Sequence, residues 1–168
     1  RECSLLYPFI RDEVLRDNDW GFARKRAVLA LLPDTYSGYE YAYQYPVDCV
    51  EARALYDDNG TVANNTYNSD AGRYPLRGKL EFELGVSDDL NSKTILTNKE
   101  DAELIYTARV ENLNLFDSKF VQALAWRLAA DLAVPLKGKP ELQIQMMNQY
   151  NFILTSARLV DANEGHTN

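Results

Sequence analysis

The sequence is poor in the residues that carry most covalent chemistry. It has one histidine, His166, in the polar tail NEGHTN, and two cysteines, Cys3 and Cys49. A catalytic base needs a held geometry, and a histidine in such a tail lacks one. One histidine and two distant cysteines give no zinc spacing. The two thiols allow at most one disulfide and are expected as buried, reduced side chains. GxSxG, P-loop and GxGxxG stretches are missing. There is no apolar run of the roughly 18 residues that a spanning helix needs, so no membrane insertion is expected. No signal-peptide pattern opens the chain. Arg1 enters a helical pattern without a cap, so the natural protein is expected to begin upstream.

Positive charge is also short. Lys and Arg number 18 against 25 Asp and Glu, a net charge of −7. That argues against a groove gripping nucleic acid by its phosphates. It suits a wall past which DNA slides without sticking. The carboxylates of DDNG (57–60) and Asp88-Asp89 lack the alternating ligands and terminal bidentate Glu of a calcium loop, and turn chemistry accounts for them. The sequons at Asn59 and Asn64 read as chance in an Asn-rich stretch. In an extended RKR (24–26), Arg24 and Arg26 share one face and Lys25 takes the other, which suits surface solvation or a subunit salt bridge.

What remains is a chain of 168 residues, 46% hydrophobic, enough for one domain with a proper core. Residues 2–18 read as a helix through Leu5, Leu6, Phe9, Ile10 and Val14, distorted early by Pro8. A strand is expected from about Phe22 to Leu31. The segment YEYAYQYPVDC then sets Tyr39, Tyr41, Tyr43 and Tyr45 on one face of an extended chain. Exposed rings in a row stack sugars or bases, but the spacers Glu40, Ala42 and Gln44 bring no cation to hold a phosphate. Packing at a sheet edge or a protein interface is favoured, with the row paired to the strand before it. Pro46 ends it, and Cys49 opens a strand to Tyr56. Residues 57–75 read as a long exposed loop or arm. In KLEFELGV, Leu80, Phe82, Leu84 and Val86 alternate with Lys79, Glu81 and Glu83, predicting one buried face. KTILT and AELIYTARV supply two more strands.

The C-terminal third is helical. Asp117 is the expected N-cap of a helix over 118–134, apolar nearly all round through Phe120, Leu124, Leu128, Leu132, Ala123, Trp126 and Ala130. Arg127 and Asp131 can pair at i,i+4, and PLKGKP breaks the helix. Pro140 opens a last helix to about 163, with a core stripe of Leu142, Met146, Met147, Tyr150, Ile153, Leu154, Ala157 and Val160. Phe152 and Leu159 fall on its opposite face and need a partner. Together these elements predict an α+β fold: a helical bundle packed with a small, mainly antiparallel sheet and an extended arm.

Four stretches in a fixed order carry a resemblance. A Trp-x-Phe-Ala segment (Trp20 to Ala23) follows the first helix, and Tyr-Pro-x-Asp-Cys (Tyr45 to Cys49) comes next. Then come Tyr-x-x-Arg-Val (Tyr106 to Val110) and Phe-Asp-x-x-Phe (Phe116 to Phe120), the last leading into LAADLA. This order resembles the tail tubular protein A family of short-tailed, T7-like phages, the head-to-tail adaptors.

The resemblance implies a non-enzymatic virion protein, assembled in the bacterial host cytoplasm, with no cofactor or metal. It implies a ring of typically twelve copies between the portal protein and the tail nozzle (tail tubular protein B), through which double-stranded DNA passes without sequence preference. Twelve chains of −7 give roughly −80 around such a channel. Candidate subunit or partner contacts are Tyr39, Tyr41, Tyr43, Asn64, Asn65, Tyr67, Arg73, Trp126, Phe152 and Leu159. The competing readings are a tail-associated polysaccharide or cell-wall hydrolase using a pair among Asp57, Asp58, Asp88 and Asp89, and a sugar- or receptor-binding module using Tyr39, Tyr41 and Tyr43.

Overall fold

A computed structural model describes residues 2–33, 36–57, 79–87 and 90–164. The fold is α+β, as expected. The chain divides into two compact units, one built from residues 1–24 and 109–168 and the other from 25–108.

The first unit is helical. Helix α1 (Glu2–Asp17) and helix α3 (Pro140–Glu164) each pack against α2 (Ser118–Lys137). Buried side chains are Ile10, Val14 and Leu15 on α1; Phe120, Ala123, Leu124, Ala130 and Ala133 on α2; and Tyr150, Ile153, Leu154 and Ala157 on α3. Asp117 caps α2, its Oδ1 accepting the Phe120 N–H at 2.6 Å. Proline does not end that helix where expected, because Pro135 sits in the last turn and removes only one amide donor. The helix runs to Lys137 and stops at Gly138, which takes the left-handed conformation (φ 61°) and donates its N–H to the Val134 carbonyl. The expectation that both thiols are buried fails for Cys3, which is exposed. Full burial on α1 begins only at Ile10; Leu6 and Tyr7 are half-buried, and Leu5 and Phe9 are exposed as well.

The second unit contains two four-stranded sheets. Its strands are β1 (Arg24–Val28), β2 (Leu31–Leu32), β3 (Tyr41–Gln44), β4 (Cys49–Asp57), β5 (Lys79–Leu80), β6 (Glu83–Val86), β7 (Lys93–Thr97) and β8 (Ala102–Ala108). One sheet has the order β1-β8-β4-β5, the other β2-β3-β7-β6. Two stretches expected as single strands each pass from one sheet to the other. The 22–31 stretch gives β1 and β2, and KLEFELGV gives β5 and β6, so chain bridges the sheets at both edges.

This crossing overturns the expected burial of KLEFELGV. Leu80 and Phe82 pack on the core, but Leu84 and Val86 lie on the edge strand β6 and are about half exposed. The shared core joins Cys49, Leu55, Leu104 and Tyr106 from one sheet with Tyr43 and Ile95 from the other.

Candidate interaction surface

The tyrosine row forms a strand face, and that face points inward. Strand β3 pairs antiparallel with β2, Tyr43 opposite Leu31, as expected for the segment before it, and with β7, Tyr43 opposite Ile95. Tyr43 is 2% exposed, and its hydroxyl donates to the Lys99 carbonyl at 2.9 Å. Burial raises its pKa. The Tyr41 ring stacks on Tyr43 at 6.5 Å, and Tyr41 and Tyr45 are partly buried against the same core. Tyr39 precedes the strand and donates its hydroxyl to Glu83 at 2.6 Å. The four phenols are therefore not a free stacking platform. Tyr43 belongs to the core, and only Tyr39 and the outer parts of Tyr41 and Tyr45 reach solvent.

Beside the row lies a small polar cluster. Asp48 accepts from Lys25 Nζ at 2.7 Å and from the Tyr106 hydroxyl at 2.9 Å. Burial pushes the Asp48 carboxyl up, but the hydrogen bonds from Lys25 and Tyr106 outweigh it and leave the pKa below the ordinary value. Adjacent Cys49 is buried, which pushes its thiol up to about 11, so it is no nucleophile at neutral pH. The RKR segment is taken up by ion pairs within the chain: Arg24 with Asp19, Lys25 with Asp48, and Arg26 with Glu103 at 3.7 Å.

In the helical unit, Trp126 is half-buried. Arg127 reaches Asp131, as its spacing predicted, and also Glu13 on α1 at 3.0 Å. The Tyr150 hydroxyl donates to Asp17 at 2.5 Å. Exposed apolar side chains of this unit include Leu5 and Phe9 on α1 and Val121, Val134 and Leu136 on α2, and three more lie on the outside of α3: Phe152 is 68% and Leu159 65% exposed, and Ile144, which the pattern reading passed over, is 61% exposed. At 100° per residue Ile144 lies within about 80° of both, so the signal was present in the sequence.

Asn64, Asn65, Tyr67 and Arg73, the rest of the 57–75 segment beyond Asp57, and Asp58, Asp88, Asp89 and His166 lie outside the described residues, as does the side chain of Asp57. Among the described residues, no group of three or more His, Cys, Asp or Glu is placed to hold a metal ion, and no helix is long and apolar enough to cross a membrane. In comparisons with known proteins, no family model and no curated protein matches the chain.

The segments quoted for the phage-adaptor resemblance meet in pairs. Trp20 and Phe22 pack on Phe120 at 5.2 and 5.0 Å between ring centres, and Phe22 meets Phe116 at 5.6 Å. The Trp20 indole donates to the Val14 carbonyl at 2.7 Å, fixing the turn after α1. Asp48 of Tyr-Pro-x-Asp-Cys accepts from Tyr106 of Tyr-x-x-Arg-Val. Arg109 of the latter segment reaches Asp12 at 2.8 Å. Each of these side chains completes the packing or hydrogen bonding of another.

Proposed function

We propose that the chain is a non-enzymatic head-to-tail adaptor of a short-tailed phage virion. It would form a ring, typically of twelve copies, between portal and tail nozzle, with the genome passing through the channel. The observation that carries this reading is the ordered set of four motif segments. Within the fold the first of these segments packs on the fourth and the second bonds to the third. The net charge of −7 suits a channel wall to which DNA does not adhere.

The test is assembly on the portal. Mixing the purified chain with the portal protein of its phage and imaging by electron microscopy is expected to show a closed ring seated on the portal. Strictly monomeric behaviour in the presence of portal would refute the adaptor reading. Monomer without portal would not, since docking on a preformed ring can supply the template.

A further inference from the structure

We propose that the outer face of α3 is a self-association surface on which a second copy of this chain docks antiparallel, across a two-fold axis near Phe152. This goes beyond the adaptor reading and does not depend on it. Scattered exposed apolar residues are ordinary. Here Ile144, Phe152 and Leu159 fall on one stripe of a single helix, opposite the buried Tyr150, Ile153, Leu154 and Ala157. At 1.5 Å per residue the stripe runs roughly 22 Å.

Charge selects the occupant. Charged residues make up 26% of the chain, yet α3 has none between Glu141 and Arg158. The exposed positions around the stripe are Gln145, Asn148, Gln149, Asn151 and Thr155. Depletion of charge around an apolar centre marks the core of an interface. The charges nearest the stripe are cations at its border, Lys119 of α2, whose Nζ donates to Ser156, and exposed Arg158. Two copies of a chain carrying −7 repel over most of their surface, and a strip whose own side chains are neutral lets them meet with little charge to desolvate. The side-chain amides carry both donors and acceptors and so complement themselves.

Spacing selects the geometry. Ile144 is eight residues before Phe152 and Leu159 seven after it. A two-fold axis near Phe152 therefore sets Ile144 against the other copy's Leu159, and the reverse, with the two Phe152 rings together. That reciprocity is what an isologous contact requires, and antiparallel helices also oppose their dipoles favourably. One helix pair buries less than the roughly 800 Å² per partner of a standard interface, so the dimer is weak and forms at micromolar concentration or above.

Sedimentation velocity on the full chain without portal, from about 1 to about 100 µM, is expected to show concentration-dependent dimer. Phe152→Asp is expected to weaken it at least tenfold with an unchanged melting curve. In a Cys3→Ser background, Phe152→Cys is expected to give a disulfide-linked dimer on mild oxidation. Ile144→Cys and Leu159→Cys chains are expected to cross-link when mixed and not separately. Monomer throughout the range, a dimer indifferent to Phe152→Asp, or Ile144→Cys linking only to itself would overturn the proposal. A dimer that forms while no ring assembles on portal would refute the adaptor reading alone.

Discussion

Replacing Tyr43 separates a core strand from an interface strand. Its ring is 2% exposed, flanked across the sheet by Leu31 and Ile95 and stacked on Tyr41, and its hydroxyl holds the Lys99 carbonyl. Truncating a buried aromatic ring to alanine costs about 3–5 kcal/mol. Losing a net hydrogen bond adds about 1 kcal/mol. Tyr43→Ala is thus expected to remove roughly 4 kcal/mol or more, a large part of the 5–15 kcal/mol of a typical domain. Tyr43→Phe keeps the ring and is expected to cost about 1 kcal/mol, by leaving the Lys99 carbonyl short of a partner. Tyr39→Phe, which loses only a solvent-exposed contact to Glu83, is expected to stay within about 0.5 kcal/mol of the parent. Urea titration followed by circular dichroism measures all three. If Tyr43→Ala unfolded at the parent's urea midpoint and lost only its binding to portal or to other copies, the row would face a partner and the inward assignment would be refuted.

Gly85→Ala tests the close approach of β6 and β7. A Cβ there would lie 2.8 Å from Thr94 Oγ1 and 3.1 Å from a Leu96 methyl, so thermal melting is expected to show a loss of about 1–3 kcal/mol, partly recovered when Thr94→Ala removes the nearer obstacle. The two thiols are expected to differ sharply. Mass spectrometry after iodoacetamide treatment at pH 8 is expected to find exposed Cys3 alkylated and buried Cys49 untouched until denaturant is added. The raised pKa of Cys49 means that its contribution to stability is full below the ordinary value of 9.0 and lost as pH rises through about 11. Equal labelling of both thiols in the native state would contradict its burial.

The helical unit was legible because its boundaries depend on local chemistry. Asp117 needs only the next few amides to act as a cap, Pro140 only the first turn, and Gly138 only its own freedom to adopt a left-handed backbone. The sheets were less legible, because alternation reports which face of a strand is apolar and not which sheet the strand belongs to. Leu80 and Leu84 carry the same signal, but Leu80 pairs with Leu55 on β4, and Leu84, on the edge of the other sheet, pairs with Ile95 on β7. At Leu29 and Ala30 the same switch appears in the hydrogen bonds: the Leu29 N–H goes to Ala102, and the Ala30 carbonyl accepts from Gln44. Pairing partners dozens of residues away decide such a crossing, and no window of sequence contains them.

The tyrosine row and the α3 stripe were equally legible as apolar faces, and burial sorts them in opposite senses. A strand with neighbours on both sides, as β3 has in β2 and β7, can leave only one face for solvent, and the large rings take the covered one. A helix packed chiefly on one neighbour, as α3 is on α2 with further hydrogen bonds to Asp17 of α1, leaves its outer face to water. Apolar residues there have no cover within their own unit. The ion pairs sharpen the contrast. Arg24, Lys25, Arg26, Arg109 and Arg127 are each paired inside the chain with a carboxylate, which leaves the excess of seven negative charges unchanged. Among the described residues, the outer face of α3 offers a second acidic copy a place to approach cheaply, because the helix carries no charged side chain of its own from Leu142 to Ala157.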